Sequence, residues 1–335
     1  MKKINTLLAI LVLTTTIANA KIWRVNNNSG ITADFSTVQA AHDGASAGDT
    51  LHLEPSGNSY GNLTMIKRLV IVSSGNFITE NPGFQALANT GYVTNITVNN
   101  SAANGSVLMV KFTTNIDINS GVANILVQNC VNTNSTPHNC CGYVGSINIS
   151  NADNIIVKNC FVNNINFTNN SNNIVIANNI VANAIVNSGD CDGTISNNVI
   201  NAFFNQNAGG NLYNCTVENN IFNYGLQYGF GSCLVRNNIN SNGNLPSGNG
   251  NQNNVDMTTV FVDRAGGYLD NIYQLKAGSP AIGAGTGGVD CGAFGGSTPF
   301  KLAVTPAIPS IYKLEVPSTP AGNSMNIKFS TRSNN

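Results

Sequence analysis

The stretch Asn173-Ile174-Val175-Ile176-Ala177-Asn178-Asn179-Ile180 decides the fold, because close copies of it recur along the chain. In each copy an aliphatic residue lies two places before an asparagine, and an aliphatic or aromatic residue lies two places after it. We call this asparagine position zero; the six copies place it at Asn129, Asn159, Asn178, Asn197, Asn219 and Asn237. The intervals between them are 30, 19, 19, 22 and 18 residues. Repetition at a period near 20 residues is typical of a solenoid.

The pattern inside each copy favours β-strands over helices. Position −2 holds only Val or Ile, and position −4 holds Ile125, Ile155, Ile174, Gly193, Cys215 and Cys233. Because strand side chains alternate between two faces, we expect the aliphatic residues at −4, −2 and +2 to face inward. About 20 residues make one turn of three short strands at roughly 3.3 Å per residue. The sequence therefore predicts an all-β protein built as a parallel β-helix.

The position-zero asparagine is predicted to turn the chain at a corner. Asparagine tolerates the left-handed conformation that tight corners need, and its amide bonds locally to the backbone. Since coils stack about 4.8 Å apart, the six asparagines form a predicted structural ladder with amides bonded up and down the stack. The 30-residue interval keeps this register if residues 132–142 form a loop.

The first twenty residues have the pattern of a signal peptide. Lys2 and Lys3 precede an apolar stretch from Leu7 to Ile17, which is too short to span a bilayer, and Ala18-Asn19-Ala20 is a small-x-small cleavage site. We therefore predict an exported protein, secreted or held at the cell surface, with no membrane span.

Composition excludes some partners. Charged residues make up 9% of the chain, with 15 basic and 15 acidic side chains. Recruitment of nucleic acid needs clustered Lys and Arg, so no nucleic-acid partner is expected. No cofactor is expected either, apart from the calcium ion considered below.

Four of the cysteines form two pairs, and the members of each pair occupy the same repeat position in successive coils. Cys130 and Cys160 share position +1, whereas Cys215 and Cys233 share position −4. Each pair would lie one coil apart, within reach of a disulfide. Two alternatives follow for an exported chain: the pairs are possible disulfides, or they are buried stacks of thiols.

Both ends of the solenoid carry motifs of their own. Ser36-Thr37-Val38-Gln39 has capping-box spacing and predicts a short N-terminal helix within about 30–45, which closes the open end of the core. The tail from 298 to 335 contains alternating runs such as Tyr312-Lys313-Leu314-Glu315-Val316. We interpret it as a small β appendage or a docking strand pair, with a linker from a longer protein as the alternative.

The terminal motifs resemble those of one superfamily. They are Asp34-Phe35-Ser36-Thr37-Val38-Gln39-Ala40-Ala41, Ala47-Gly48-Asp49-Thr50-Leu51, Ser59-Tyr60-Gly61, Tyr273-Gln274-Leu275, the segment 277–285 and the segment 290–296. Together they resemble right-handed parallel β-helix proteins of the pectin-lyase-like superfamily, over roughly residues 30–297. The resemblance implies a right-handed helix over 21–297, a closing coil at about 256–297 and a bacterial surface or periplasmic location. That superfamily includes polysaccharide lyases, hydrolases and non-catalytic surface proteins, so the fold does not choose an activity.

The sequence contains few candidate catalytic or calcium-binding residues. A lyase of this kind needs a basic residue and positive charge or calcium beside a uronate. Lys158 and Arg236 are the candidates on the outer strand face, with Glu218 beside Arg236. A hydrolase needs paired carboxylates, and Asp190 and Asp192 are the close pair within the coils, where they could also hold calcium or simply form a turn.

A charged group and an apolar stripe are two further candidate features of the surface. Asp256, Asp263 and Arg264 form another possible group near the C-terminal coil. Leu126, Ile156 and Val175 make an outward apolar stripe, which we expect the tail, the 132–142 loop or a partner to cover.

We expect a non-catalytic surface protein with a structural or glycan-binding role, whose partner is a polysaccharide or another surface component. The alternative is a polysaccharide lyase or glycoside hydrolase acting on an acidic polysaccharide.

Overall fold

The structure is a computed structural model, and it describes most of the chain. The described ranges are 20–77, 90–99, 101–132, 145–168, 170–188, 192–201, 212–223, 229–262, 270–304, 310–319 and 324–332. Within them the chain forms an all-β parallel solenoid, as the repeat predicts. Strands one coil apart in sequence lie side by side, with Leu126 against Ile156 and Ile156 against Val175.

One wall of the solenoid is a ten-stranded parallel sheet. Its strands, in spatial and chain order, are Ile22–Val25, Thr50–Leu53, Val70–Ser73, Val107–Met109, Leu126–Gln128, Ile156–Lys158, Ile174–Ala177, Gly193–Ser196, Cys215–Glu218 and Leu234–Arg236. From Leu126–Gln128 onward, each of these strands ends just before a position-zero asparagine.

The chain then enters a second, twelve-stranded sheet. Its strands are Leu63–Met65, Tyr92–Val93, Ile96–Val98, Lys111–Phe112, Asn115–Ile118, Val131–Asn132, Ser146–Ser150, Phe161–Thr168, Ile180–Ser188, Val199–Ile200, Ile221–Phe222 and Ile239–Asn240. A small parallel pair, Leu212–Tyr213 with Phe230–Gly231, lies beside the later coils.

The corner between the two sheets has the predicted backbone conformation. All six position-zero asparagines have φ between 53° and 59°. A second set of left-handed corners lies at position −5, where Asn124, Asn154 and Asn173 have φ of 58°, 56° and 55°. An L-residue other than glycine pays a steric cost in this region, and asparagine carries the smallest such cost. This explains why asparagine occupies position zero in all six copies and position −5 in four of them.

The corner also reverses which side chains face inward. Residues at −4 and −2 line the lumen, as expected, and so do those at +1 and +3, such as Cys160 and Val162. Position +2 was expected to face inward, but Phe161 and Ile180 lie outside the lumen in a separate core. The left-handed residue at position zero breaks the strict alternation of an extended strand, so the inward parity shifts by one after the corner.

The N-terminal end is closed by the predicted helix. It spans Val38–Gly44, and the side chain of its N-cap Thr37 accepts a hydrogen bond from Ala40 N at 3.2 Å. Val38 and Ala41 are completely buried against the first coils. The helix therefore caps the otherwise open core, as predicted, but its N-cap is Thr37, one residue after the Ser36 of the predicted capping box.

The C-terminal segment runs back along the outside of the solenoid. It contains the 3₁₀ turns Met257–Thr259, Asp270–Tyr273, Thr286–Gly288 and Leu302–Val304. Together with the position +2 residues it forms the second core, in which Phe261, Tyr273 and Phe300 are nearly fully buried. Beyond it, Ser310–Glu315 and Lys328–Arg332 pair as an antiparallel hairpin, the β appendage predicted for the tail. The segment expected to be a closing coil thus lies over the corner and the +2 row.

Candidate functional site

The solvent face of the ten-stranded sheet carries two straight columns of side chains. The first column contains only aliphatic residues and threonine: Ile22, Thr50, Val70, Val107, Leu126, Ile156, Val175, Thr194, Thr216 and Leu234. The second column is mixed: Arg24, His52, Val72, Met109, Gln128, Lys158, Ala177, Ser196, Glu218 and Arg236. Neighbours within a column are about 4.8 Å apart.

A groove lies along the middle of the first column. It has a volume of about 260 Å³ and is lined by Asn124, Ile125, Leu126, Asn154, Ile156, Asn173 and Val175. The predicted apolar stripe therefore forms the floor of the groove, and the position −5 asparagines form one rim. Ile156 is 40% exposed. No described residue of the tail lines the groove, and most of the 132–142 loop lies outside the described residues.

The rim asparagines are fixed by their neighbours yet exposed to solvent. Asn173 Nδ2 donates to Asn154 Oδ1 at 2.7 Å, so adjacent rungs are linked by their amides. The backbone N–H of Asn173 donates to the carboxylate of Asp192. Since these residues sit at left-handed corners, their side chains project beside the first column. The rim presents a row of amides next to a row of aliphatic groups, without a charged side chain in the lining.

The three charged candidates do not form one cluster. Arg236 Nε lies 2.8 Å from Glu218 Oε2, and this carboxylate also accepts from Thr286 Oγ1 at 3.3 Å. The charges of Arg236 and Glu218 thus offset each other, and Glu218 also links the sheet to the C-terminal segment through Thr286. Lys158 lies in the same column but four strands from Arg236, a separation of about 19 Å. A single sugar unit cannot contact both cations.

The acidic candidates are also dispersed. Asp192 accepts from the Asn173 backbone, and Asp190 lies outside the described residues. Asp256 caps the turn Met257–Thr259 by accepting from Thr258 N at 2.9 Å, whereas Asp263 and Arg264 lie outside the described residues. Within the described ranges, no group of three or more His, Cys, Asp or Glu side chains is arranged to hold a metal ion.

The corner asparagines mainly hold the C-terminal segment. Their side chains bond to its backbone along a line: Asn159 Nδ2 to Thr298 O (3.1 Å), Asn178 Nδ2 to Ala293 O (3.0 Å), Asn197 Nδ2 to Asp290 O (2.9 Å), Thr286 N to Asn219 Oδ1 (2.8 Å) and Asn237 Nδ2 to Ala284 O (3.0 Å). We call residues 284–298 the strap. Within this column, Asn219 Nδ2 donates to Asn197 Oδ1 at 3.4 Å.

The continuous ladder of amides lies one residue later, inside the lumen. Its Nδ2-to-Oδ1 bonds join Asn179 to Asn198 (3.0 Å), Asn198 to Asn220 (2.9 Å), Asn220 to Asn238 (3.0 Å) and Asn238 to Asn251 (3.2 Å). The first four asparagines are fully buried. Cys160 joins the same column, because its backbone N–H donates to Asn179 Oδ1 at 2.9 Å. The repeat predicts the amide ladder at position zero, whereas the continuous ladder lies at position +1; the Asn-Asn dipeptides that begin at 178, 197, 219 and 237 contain both positions.

The two cysteine pairs are stacked as free thiols in this structure. Cys130 and Cys160 are fully buried, and this burial raises the pKa of Cys160 well above its ordinary value. Cys233 is partly exposed and Cys215 N donates to its Sγ at 3.4 Å. Hydrogen bonding from Cys215 lowers the pKa of Cys233 to about 7. The thiols of the two pairs therefore differ in pKa, and the choice between disulfides and thiol stacks in the exported protein stays a prediction.

The fold and this surface together define the class of the protein, a capped parallel β-solenoid with an uncharged outer groove. No protein-family model matches the chain, and no curated protein matches it. Among the described residues, no helix is long and apolar enough to cross a bilayer.

Proposed function

We propose that the protein is an exported, non-catalytic surface protein that binds a neutral polysaccharide in the groove over Leu126, Ile156 and Val175. The observation that carries the proposal is the pairing of an amide row with an aliphatic row. Sugar rings present hydroxyl groups at their edges and C–H groups on their faces. Amides bond to the former, and aliphatic side chains pack against the latter.

The charge of the groove supports a neutral ligand. None of the seven lining residues is ionisable. A uronate would place its carboxylate beside aliphatic groups at a desolvation cost, and no lining residue carries a positive charge to pair with it. The nearest basic residue of the same coil is Lys158, in the neighbouring column.

The same repeat favours an extended ligand. Because the rims and floor repeat at the strand spacing of about 4.8 Å, successive sugar units meet equivalent groups along the stack. We include in the proposal membership of the pectin-lyase-like superfamily of right-handed β-helices; the capped parallel solenoid and the quoted terminal motifs support it.

Binding is tested with paired substitutions that keep the backbone intact. Asn154→Gly removes one rim amide but retains a residue that tolerates φ of 56°, and Asn214→Gly makes the same change at position −5 outside the groove. Ile156→Ala truncates the floor, and Leu234→Ala truncates the same column elsewhere.

The assay is affinity electrophoresis and titration calorimetry against a panel of neutral polysaccharides. Loss of a neutral hydrogen bond of about 0.5–1.5 kcal/mol weakens binding by about twofold to tenfold, so we expect this for Asn154→Gly and no change for Asn214→Gly. Equal binding by Ile156→Ala and Leu234→Ala would contradict the location of the site. Retention of no polysaccharide would contradict the function.

The lyase and hydrolase alternative is tested on the same preparation. The protein is incubated with pectate, alginate and chondroitin in the presence of calcium, and the absorbance of unsaturated products and the release of reducing ends are followed. Product formation that Lys158→Ala or Arg236→Ala abolishes would replace the binding proposal with catalysis.

A further inference from the structure

A buried carboxylate lies directly beside the predicted cleavage site. Asp49 is only 4% exposed. Its Oδ1 accepts from the backbone nitrogen of Lys21 at 2.8 Å, and its Oδ2 accepts from Trp23 Nε1 and Ser46 N, each at 2.8 Å. Three donors therefore converge on this side chain, and two of them belong to the first residues of the solenoid.

The surroundings of Asp49 favour a negative charge but supply no direct ionic partner. Within the described ranges, no ion pair includes Asp49. The Lys21 ammonium lies over the Trp23 ring, 3.2 Å from its centroid, and Arg68 passes close to Gly48. Burial opposes ionisation of Asp49, but the three hydrogen bonds outweigh it and hold its pKa below the ordinary value.

Lys21 is the residue that follows the predicted cleavage site, so its backbone nitrogen would become the amino terminus of the processed chain. Ala20 and Lys21 are both exposed residues at the predicted cleavage site. The carbonyl oxygen of Lys21 accepts from Thr50 N at 2.8 Å, which fixes Lys21 at the edge of the ten-stranded sheet. After cleavage at this bond, the nitrogen that now lies 2.8 Å from Asp49 Oδ1 would be the α-amino group of the chain.

We propose that removal of the leader forms an ion pair between the α-ammonium group of Lys21 and Asp49, and that this pair locks the first strand, Ile22–Val25, onto the solenoid. The inference rests on the proposed export of the protein. A leader peptidase hydrolyses the Ala20–Lys21 bond with one water molecule: the carboxylate remains on Ala20, and the amine of Lys21 takes up a proton from solvent. A neutral amide bond to Asp49 is thereby replaced with a charge-assisted one, which is about twice as strong.

The test compares two cut forms of the full chain, which differ in their first residue. A protease recognition sequence replaces residues 16–20, so that cutting leaves Lys21 as the first residue. In the matched control the recognition sequence replaces residues 15–19 instead, so that cutting leaves Ala20 as the first residue; this keeps the neutral amide N–H of Lys21 and moves the α-ammonium group one residue away from Asp49. Both forms are also made with Asp49→Asn.

Hydrogen exchange of Ile22–Val25 is the readout, followed by mass spectrometry. We expect exchange in the Lys21-first form to be about fivefold to tenfold slower than in the Ala20-first form, and we expect Asp49→Asn to abolish this difference. Equal exchange in the two forms, or a difference that persists in Asp49→Asn, would overturn the proposal.

The pH dependence provides a second readout. An α-amino group has an ordinary pKa of about 7.7–8.0, and pairing with Asp49 raises it in the folded state. The stabilisation by the ion pair is therefore fully present below about pH 7.7 and is lost as pH rises through the raised folded-state pKa of the α-amino group. The Lys21 side chain and Arg68 are common to both forms, so their contributions cancel. A difference between the two forms that does not decline at high pH would count against the ion pair.

Failure of this inference is distinguishable from failure of the proposed function. Intact mass shows whether the exported protein begins at Lys21; if it begins elsewhere, the lock is excluded. If it begins at Lys21 but Ile22–Val25 exchange equally in the two cut forms, the proposed export is retained and the proposed ion pair is rejected. Polysaccharide binding is measured on the same samples and depends on a groove several coils away.

Discussion

Truncation of one buried ladder asparagine, Asn198→Ala, is expected to destabilise the solenoid strongly. Asn198 is fully buried and its Nδ2 donates to Ile176 O at 2.9 Å, to Ser196 O at 3.0 Å and to Asn220 Oδ1 at 2.9 Å. Its Oδ1 accepts from the backbone and side-chain nitrogens of Asn179 at 2.9 and 3.0 Å. No water can replace these partners without entering the lumen.

The magnitude follows from the groups left without partners. In Asn198→Ala the backbone N–H of Asn179 loses the acceptor described above, and the carbonyl of Ile176 loses its side-chain donor. Each unsatisfied buried group costs about 1–3 kcal/mol, so the free energy of unfolding should fall by about 2–6 kcal/mol. A methyl group also leaves part of the amide volume empty, which acts in the same direction.

Urea unfolding monitored by circular dichroism measures the loss. Asn58→Ala is the control, because Asn58 is exposed, and its effect should stay within about 0.5 kcal/mol. Asn198→Cys should lose less than Asn198→Ala, because cysteine occupies the same column at Cys130, where Sγ donates to Leu108 O at 3.3 Å. Equal midpoints for Asn198→Ala and Asn58→Ala would refute the reasoning.

Three further outcomes are expected. Gly193→Ala should lower the free energy of unfolding by about 1–3 kcal/mol, because its methyl group would lie 2.3 Å from a carbonyl oxygen of the preceding coil, whereas Gly243→Ala has room and should be neutral; equal urea midpoints would contradict this. Asn197→Ala should be less stable than Asn197→Gly by about 1–2 kcal/mol, since both lose the amide but only alanine is strained at φ of 54°, and the difference between their thermal unfolding curves measures this strain. In the folded protein, iodoacetamide should alkylate Cys233 at a rate that rises through about pH 7, where its thiolate forms, while Cys160 reacts only after unfolding; peptide masses showing equal labelling would argue otherwise.

The sequence predicts the parts of the fold that repeat. The period near 20 residues predicts parallel coils, and the structure confirms them in the pairing of Ile156 with Val175. The recurrent asparagine predicts a left-handed corner, as found at Asn178. The capping-box spacing of Ser36 and Gln39 predicts the N-terminal helix, although the N-cap in the structure is Thr37, one residue later. Each of these depends on local chemistry that recurs or has a strong signature.

What the sequence does not predict depends on geometry beyond one strand. Alternation alone places Phe161 inward, but the corner before it reverses the parity, and only the course of the backbone reveals this. The strap has no repeat, so its contacts with Asn159 and Asn237 leave no periodic signal. The groove depends on which outward residues adjoin the −5 corners, a relation between columns that appears only when coils are stacked.

The strap has a consequence for how the protein folds. In most solenoids each repeat touches only its neighbours, so contacts are short in sequence and segments can fold or fray independently. Here Asn159 bonds to Thr298, 139 residues away, and Asn178 bonds to Gly295, 117 residues away. Such distant contacts raise the contact order and slow folding. The coils that contain Asn159, Asn178, Asn197, Asn219 and Asn237 therefore gain these contacts only after the strap has been synthesised, and we expect them to unfold as one cooperative unit.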